Sequence, residues 1–441
     1  MISRLRRNRR PSAPSPSLGR DFHLLWAGQS ASELGDRVSE LALPFLAAVG
    51  LHASVQQVAL LAALTWTPNL LGLVIGTWVE QFRSKRRLMA LADLVRAASL
   101  CSVPFAYLCH SLTLTQLYAV ALVNGTAAVF FGTAYSSFFT QLIPREAYLA
   151  ANSRLNASRS ASFVAGPSMG GLLVQFLGAP FAVLADAASF LASAVTLQAI
   201  RLTPPPSSDA DAPQGPFLRR MKGGFALLSR DPLLRACLGC STTVNLFTFL
   251  SSGLLVVYAN RTLGLSAGAL GLALGVGAVG ALVGALLAPK AAKLLGTGRT
   301  IALGAVVFPA PIAIMAAAGG PLWLRAVVLG AAEFLSGAGV MLFDVNLNSL
   351  QAWATPADIR SRISGAFKAV NFGVRPLGAI LGGALAAGIG LRATLVVTAV
   401  GGAASVFWVL WSPIFAVRDL SQVAWSAPAA PDTSPSPSLT S

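Results

Sequence analysis

Residues 202–232 read LTPPPSSDADAPQGPFLRRMKGGFALLSRDP. Three consecutive prolines followed by Ser and Asp forbid a helix, because proline lacks the backbone N–H and clashes with the preceding turn. The second part, 217–228, is basic and amphipathic, which predicts a helix lying along the cytoplasmic membrane interface. On either side the composition is the opposite. The chain of 441 residues is 55% hydrophobic and only 11% charged, where soluble proteins carry about 25% charged residues. Apolar runs long enough to cross a bilayer recur along nearly its whole length. Before the linker, spans are predicted at 22–50, 55–80, 87–109, 114–143, 151–177 and 180–201. A second set follows at 234–260, 266–289, 299–318, 321–350, 362–388 and 391–415. The expected fold class is an all-α polytopic membrane protein of twelve transmembrane helices in two pseudo-symmetric six-helix bundles.

The basic residues give a net charge of +16, and their placement gives orientation. The loops after odd-numbered spans read LHASV, CHSLT, LGAP, NRTLGLS, AGGP and GIGLR. The opposite side carries RLRRNRR, FRSKRR, PREAYLAANSR, the linker, PKAAKLLGTGR and PADIRSR. This bias predicts that both termini are cytoplasmic and makes the positive charge topogenic, so no nucleic-acid partner is expected. The domains expected are a disordered basic arm (1–20), an N-terminal six-helix bundle (21–201), the cytoplasmic linker (202–232), a C-terminal six-helix bundle (233–417) and a disordered tail (418–441). The first apolar run is too long for a signal-peptide core, so it reads as a retained span.

Cys101, Cys109, Cys237 and Cys240 all lie in apolar spans. The CLGC pair lacks the further ligands of a zinc site and reads as packing, and no metal or disulfide framework is expected. His23, His52 and His110 sit at span ends, which leaves no clustered acid–base set for an enzyme. No phosphate-cradling P-loop occurs, so no nucleotide cofactor is expected.

The two halves echo each other. Pro144 matches Pro356, Pro167 matches Pro376, and Gly170–Gly171 falls near Gly382–Gly383. Duplicated halves enclosing a midplane cavity are a transporter architecture.

Three local patterns resemble the major facilitator superfamily over residues 20–418. The loop Gly76-Thr-Trp-Val-Glu80-Gln-Phe-Arg83-Ser-Lys85-Arg86-Arg87, with Asp93 beyond it, is similar to that family's cytoplasmic gate loop. Glu80 and Gln81 stand where the family has Asp and Arg. The resemblance implies close helix packing at Gly76 and a gate latch made by Glu80 with the basic cluster. Gly166-Pro167-Ser-Met-Gly170-Gly171 resembles the core of the family's exporter-associated motif, with Ser162 and Ser153 where further glycines are usual. Ser32-x-x-Gly35-Asp36, Asp93-x-x-Arg96 and Pro144-Arg-Glu146…Ala151-Asn152 resemble the branch of enterobactin and macrolide exporters.

Span 1 contains SASELGDRVSELALP, residues 30–44. Glu33, Asp36, Arg37 and Glu40 are spaced i, i+3, i+4 and i+7 and share one helix face. Asp36 falls about 15 Å into the hydrocarbon, where a charge costs at least ~2.5 kcal/mol unless it meets a partner or a water-filled cavity. Spacing pairs Arg37 with Glu33 and leaves Asp36 and Glu40 without a local cation. Two readings stand side by side. Asp36 or Glu33 is a proton-coupling carboxylate modulated by Arg37 or Arg96, or the charges form a fixed network holding span 1 against spans 4 and 5. Further embedded charges are Arg159, Asp186, Glu333, Asp344, Lys368 and Arg375. For Asp344 a gate contact with Arg360 or Arg362 is expected. Trp66, Phe131, Tyr135, Phe247, Phe343 and Glu333, with Phe130 and Phe249, are candidates for a cavity suited to a bulky amphiphile.

The expected function is secondary active transport, by proton-coupled export of amphiphilic small molecules such as a siderophore, macrolide or other drug. Proton-coupled import of a metabolite is the alternative, with a membrane-embedded enzyme or scaffold as a different class. Protons, a small-molecule substrate and the bilayer are the expected partners. The expected driving force is the proton gradient, with no cofactor. The expected state is a monomer in the bacterial cytoplasmic membrane.

Overall fold

A computed structural model describes residues 18–82, 84–201, 228–229, 231–355 and 359–420. The interfacial helix expected over 217–228 and the two expected tails lie almost wholly outside the described residues, as does Arg83.

The helices are α1 (Gly19–Phe45), α2 (Val55–Trp66), α3 (Gly72–Glu80), α4 (Lys85–Leu108), α5 (Leu114–Leu142), α6 (Tyr148–Leu177) and α7 (Ala179–Ala199). Beyond the linker come α8 (Pro232–Ser252, continued by one short turn at Leu254–Val257), α9 (Ala267–Leu295), α10 (Thr297–Val307), α11 (Pro311–Ala316), α12 (Leu322–Ala354), α13 (Arg360–Ile389), α14 (Leu391–Ala403) and α15 (Val406–Leu410). No strand occurs among the described residues. Among the described residues, ten helical segments are long and apolar enough to cross a membrane. The segments expected as spans 1 and 2 are α1, whose charges set it apart in composition, and the broken pair α2–α3.

Several spans expected as continuous are interrupted. The 55–80 span breaks at a 3₁₀ turn over Thr67–Leu71, where Pro68 removes a ladder donor. The 299–318 span breaks between α10 and α11 at Pro309 and Pro311. Beyond Pro44, α1 widens into a π turn at Leu46–Gly50, one of the known sources of helix irregularity. Periodicity reports the apolar length of a span but not the local loss of a hydrogen bond within it.

The helices gather into two compact units that do not follow chain order. The first holds α1, α3 to α7 and the opening turns of α9 (Ser266–Gly275). The second holds α2 (Ser54–Trp66), α8, α9 from Val276 onward and α10 to α15. In the first unit α1 packs against α6 and α7, and α4 against α5 and α7. In the second, α13 packs against α2 and α8, and α10 against α12. In lipid there is no hydrophobic drive between helices, so small residues that allow close backbone approach hold such contacts.

The duplicated glycines do this in both units. A Cβ on Gly170 would lie 3.1 Å from Val38 Cα of α1, and one on Gly171 would lie 2.7 Å from Gly271 Cα of α9. In the second unit a Cβ on Gly382 would lie 2.7 Å from Leu250 Cα of α8, and one on Gly383 would lie 2.6 Å from Ala59 Cβ of α2. Thus α6 and α13, equivalent by sequence, each clasp the first helix of their own half and the second helix of the other half.

Cys237 and Cys240 are fully buried and pack with Ile301, Phe343 and Leu347 in the second unit's core.

Candidate functional site

The charged face of α1 borders a cavity of about 270 Å³ in the first unit, lined by Glu33, Asp36, Arg37, Glu40, Arg96 and Arg159 with Gln29, Ser32, Ala128, Phe131 and Gly132. The expected Glu33–Arg37 pairing is not made. Arg37 Nη1 instead donates to Glu40 Oε2 at 2.7 Å, three residues on. Glu33 is free to accept from both Nε and Nη2 of Arg159, each at 3.0 Å, on α6. Asp36, expected to lack a cation on its own helix, accepts from Arg96 Nη2 of α4 at 2.5 Å. Spacing of i and i+4 permits a pair but does not select it, because α4 and α6 bring competing cations to the same face.

Arg96 is held in a second way. Its Cζ lies 3.7 Å from the centroid of the Phe190 ring on α7, a cation–π contact. Its side chain is only 11% exposed against 36% for Asp36. Behind this pair sit two further carboxylates. Asp93, one turn before Arg96 on α4, is 0% exposed and its two oxygens have no hydrogen-bond partner among the described residues. Asp186 of α7 is 1% exposed and accepts from Ser189 Oγ at 3.3 Å. Gly35 makes the approach of α7 possible, since a Cβ there would lie 2.6 Å from Asp186 Oδ1. Asp93, expected with the gate loop, therefore belongs to the buried cluster. Its i, i+3 spacing to Arg96 was the available signal.

The site holds five carboxylates (Glu33, Asp36, Glu40, Asp93 and Asp186) and three arginines (Arg37, Arg96 and Arg159), each arginine paired with one acid. Two buried carboxylates remain without an ion pair among the described residues. A carboxylate buried without a cation is tolerable only when it holds a proton or when a cation swings to it. Such a cluster can therefore exchange one arginine among several acids.

Phe131 lines this cavity, and Tyr135 stacks on it at 6.2 Å and 17°. The other cavity candidates lie elsewhere. Phe343 is 1% exposed in the second unit's core. A Cβ on Gly401 of α14 would strike the Phe247 ring, so Phe247 packs between helices. Glu333 lies against Gly277 of α9, and Phe130 meets the edge of Trp78. Trp66 joins Phe249, Phe372 and Arg375 in the second unit. The side chains of Arg360 and Arg362 lie outside the described residues, and among the described residues the cation acting on Asp344 is Arg375.

The gate-loop residues cap helices. Lys85 Nζ donates to the carbonyls of Val79 (2.6 Å) and Glu80 (3.0 Å) at the end of α3, the terminus that favours a cation. Arg86 donates to the Ile200 carbonyl after α7. The Glu80 side chain makes no ion pair among the described residues, and Arg87 is exposed. Among the described residues a Cβ on Gly76 would meet only Thr133 Cγ2 at 3.9 Å, so they do not require this glycine for close packing. In the exporter-type motif, a Cβ on Gly166 would lie 2.5 Å from Arg37 Cβ. That glycine thus seats a charged residue of α1 against α6, and Pro167 follows it inside α6.

Fold and site together define a multi-pass α-helical membrane protein whose first helix carries a partly buried charge cluster. Residues 25–378 match the model of the Major Facilitator Superfamily, and the chain belongs to that family. It is 24% identical over 379 residues to the multidrug efflux pump Tap of Mycolicibacterium fortuitum, covering 84% of this chain and 90% of that protein. It is 27% identical over 384 residues to the MFS-type transporter YfiS of Bacillus subtilis, covering 85% and 88%. Among solved structures, the nucleoside transporter NupG superposes with a TM-score of 0.71 at 14% identity, over 89% of this chain and 98% of that one. A bacterial homologue of the iron transporter ferroportin does so with a TM-score of 0.71 at 17% identity, over 90% and 99%. The protein is a transporter, not an enzyme, and its ligands are small molecules.

Proposed function

We propose that this transporter exports amphiphilic small molecules across the bacterial cytoplasmic membrane in exchange for protons, with both termini cytoplasmic and no cofactor. The observation that carries the reading is the excess of carboxylates over arginines around α1, with Asp93 and Asp186 buried and without an ion pair among the described residues. Asp36 and Arg96 form the coupling pair. A proton on Asp36 removes the charge that holds Arg96, and the guanidinium then turns toward Asp93 or Asp186, whose charges also act on it. Deprotonation restores the Asp36 pair. Glu33 with Arg159 is a second, more open pair of the same kind, and Arg37 with Glu40 anchors the outer end of the face. Export is supported by the likeness to proteins named multidrug efflux pumps and by the Gly166-Pro167-x-x-Gly170-Gly171 element.

The test is transport in proteoliposomes under an imposed pH gradient. Asp36→Asn is expected to abolish gradient-driven accumulation while leaving substrate exchange at equal pH. Full gradient-driven transport by both Asp36→Asn and Glu33→Gln would sink the proposal.

A further inference from the structure

Arg375 lies close to the middle of the 30-residue helix α13, about 22 Å from its start at 1.5 Å per residue. An arginine at such depth is expensive and marks a functional position by default. Nothing in the proton-coupling cluster uses it, since it belongs to the second unit.

Its surroundings are unusual for a structural cation. Three aromatic rings from three helices surround the guanidinium. Cζ lies 4.6 Å from the Trp66 ring of α2, 4.9 Å from Phe249 of α8 and 4.5 Å from Phe372 of α13. Trp66 and Phe372 are nearly parallel, at 14°, and Phe249 meets Trp66 edge-on at 87°. Cation–π contacts stabilise the charge but satisfy none of its five N–H donors. Arg375 makes no hydrogen bond and no ion pair among the described residues, and its Nε is buried without a partner. Asp344 of α12 is the acid whose charge reaches it, yet it stands beyond ion-pair distance. One turn earlier, Asn371 Oδ1 is taken by Ser241 Oγ at 2.8 Å and Asn245 Nδ2 at 3.1 Å, so this amide oxygen is engaged elsewhere.

A desolvated guanidinium with an unused donor fork is the group that best recognises a planar anion, because two parallel N–H bonds fit a carboxylate or sulfonate. The flanking rings supply a flat apolar wall for the body of the same ligand. We propose that Arg375, Trp66, Phe249 and Phe372 form a binding subsite for the anionic group of an aromatic amphiphile. The proposal rests on the reading of the chain as a carrier of amphiphiles and narrows that class to molecules bearing a negative charge beside an aromatic system.

Equilibrium binding to the purified full-length protein in detergent tests this without a gradient or a transport direction. Three probes share one aromatic body: 1-pyrenebutyrate, the neutral 1-pyrenebutanol and 1-pyrenebutyl-trimethylammonium. The wild-type protein is expected to bind the carboxylate at least about tenfold more tightly than the alcohol. Arg375→Gln is expected to erase that preference while leaving the alcohol's affinity unchanged, which also reports that the variant is folded. Arg375→Lys is expected to retain only part of it, since the charge stays but the fork is lost. Absence of a carboxylate preference in the wild type overturns the proposal even if the variants fail to fold. So does a preference that survives Arg375→Gln, or tighter binding of the ammonium probe by the wild type. Loss of gradient-driven export with the carboxylate preference intact would count against proton coupling and not against this subsite.

Discussion

Arg96 donates to Asp36 and rests on the ring of Phe190, so two contacts of different kinds hold one guanidinium. Lysine keeps the charge but offers neither the planar face nor the fork. Arg96→Lys is accordingly expected to lower gradient-driven transport at least about tenfold, a loss of about 1.4 kcal/mol, while leaving the amount of folded protein in size-exclusion profiles unchanged. The pair of Glu33 with Arg159 is different. The Arg159 side chain is 65% exposed but that of Glu33 only 15%, so removing the cation strands a mostly buried carboxylate. Arg159→Gln should therefore lower the melting temperature of the purified protein, and adding Glu33→Gln to it should restore part of the loss. At this scale the sequence made the shared face of Glu33, Asp36, Arg37 and Glu40 legible, because four residues on one helix are a matter of spacing. It could not choose partners. Arg37 has two acids within reach on its own helix, and Arg96 and Arg159 arrive from helices distant in the chain.

At the scale of elements, α6 and α13 show why paired glycines recur in the two halves. Gly171 and Gly271 approach so closely that a Cβ on either would lie 2.7 Å from the Cα of the other. Gly171→Val is expected to prevent folding or separate α6 from the first turns of α9, seen as loss of the monodisperse peak in detergent. Gly383→Val should do the same in the second unit, where Ala59 stands 2.6 Å from the added carbon. Gly76→Ala is the contrasting case. With 3.9 Å to its nearest neighbour, it should leave folding yield unchanged and slightly stiffen α3, since alanine favours helix by about 1 kcal/mol. Whether it alters transport then reports on the gate alone. Lys85→Met should loosen the end of α3, at a cost of about 0.3–1 kcal/mol, measurable as a lower melting temperature. The glycine pairs were legible as a repeat, but which helix each admits was not, because close approach leaves no trace in the approaching partner beyond another small residue.

For the whole molecule, the loop charges predict sidedness that cysteine labelling can check. In a background with the exposed Cys101 and Cys109 replaced by serine, Ser111→Cys, after α4, should react with a membrane-impermeant thiol reagent added outside intact cells, and Ser84→Cys, before α4, should react only after permeabilisation. The opposite pattern would reverse the assigned orientation. Composition, the proline-rich break at 202–232 and the recurrence of apolar runs determined by themselves that the chain is a multi-span helical protein in two related halves. These features record transfer into lipid and local backbone chemistry, which act on each segment separately. The tertiary structure alone decided that α2 and the opening of α9 are grouped with the helices of the opposite half. It alone placed Asp93 and Asp186 beside the Asp36–Arg96 pair and surrounded Arg375 with three rings. The physical reason is the same in each case. A buried charge is settled by which partner desolvates together with it, and that partner is chosen by how helices pack rather than by position along the chain.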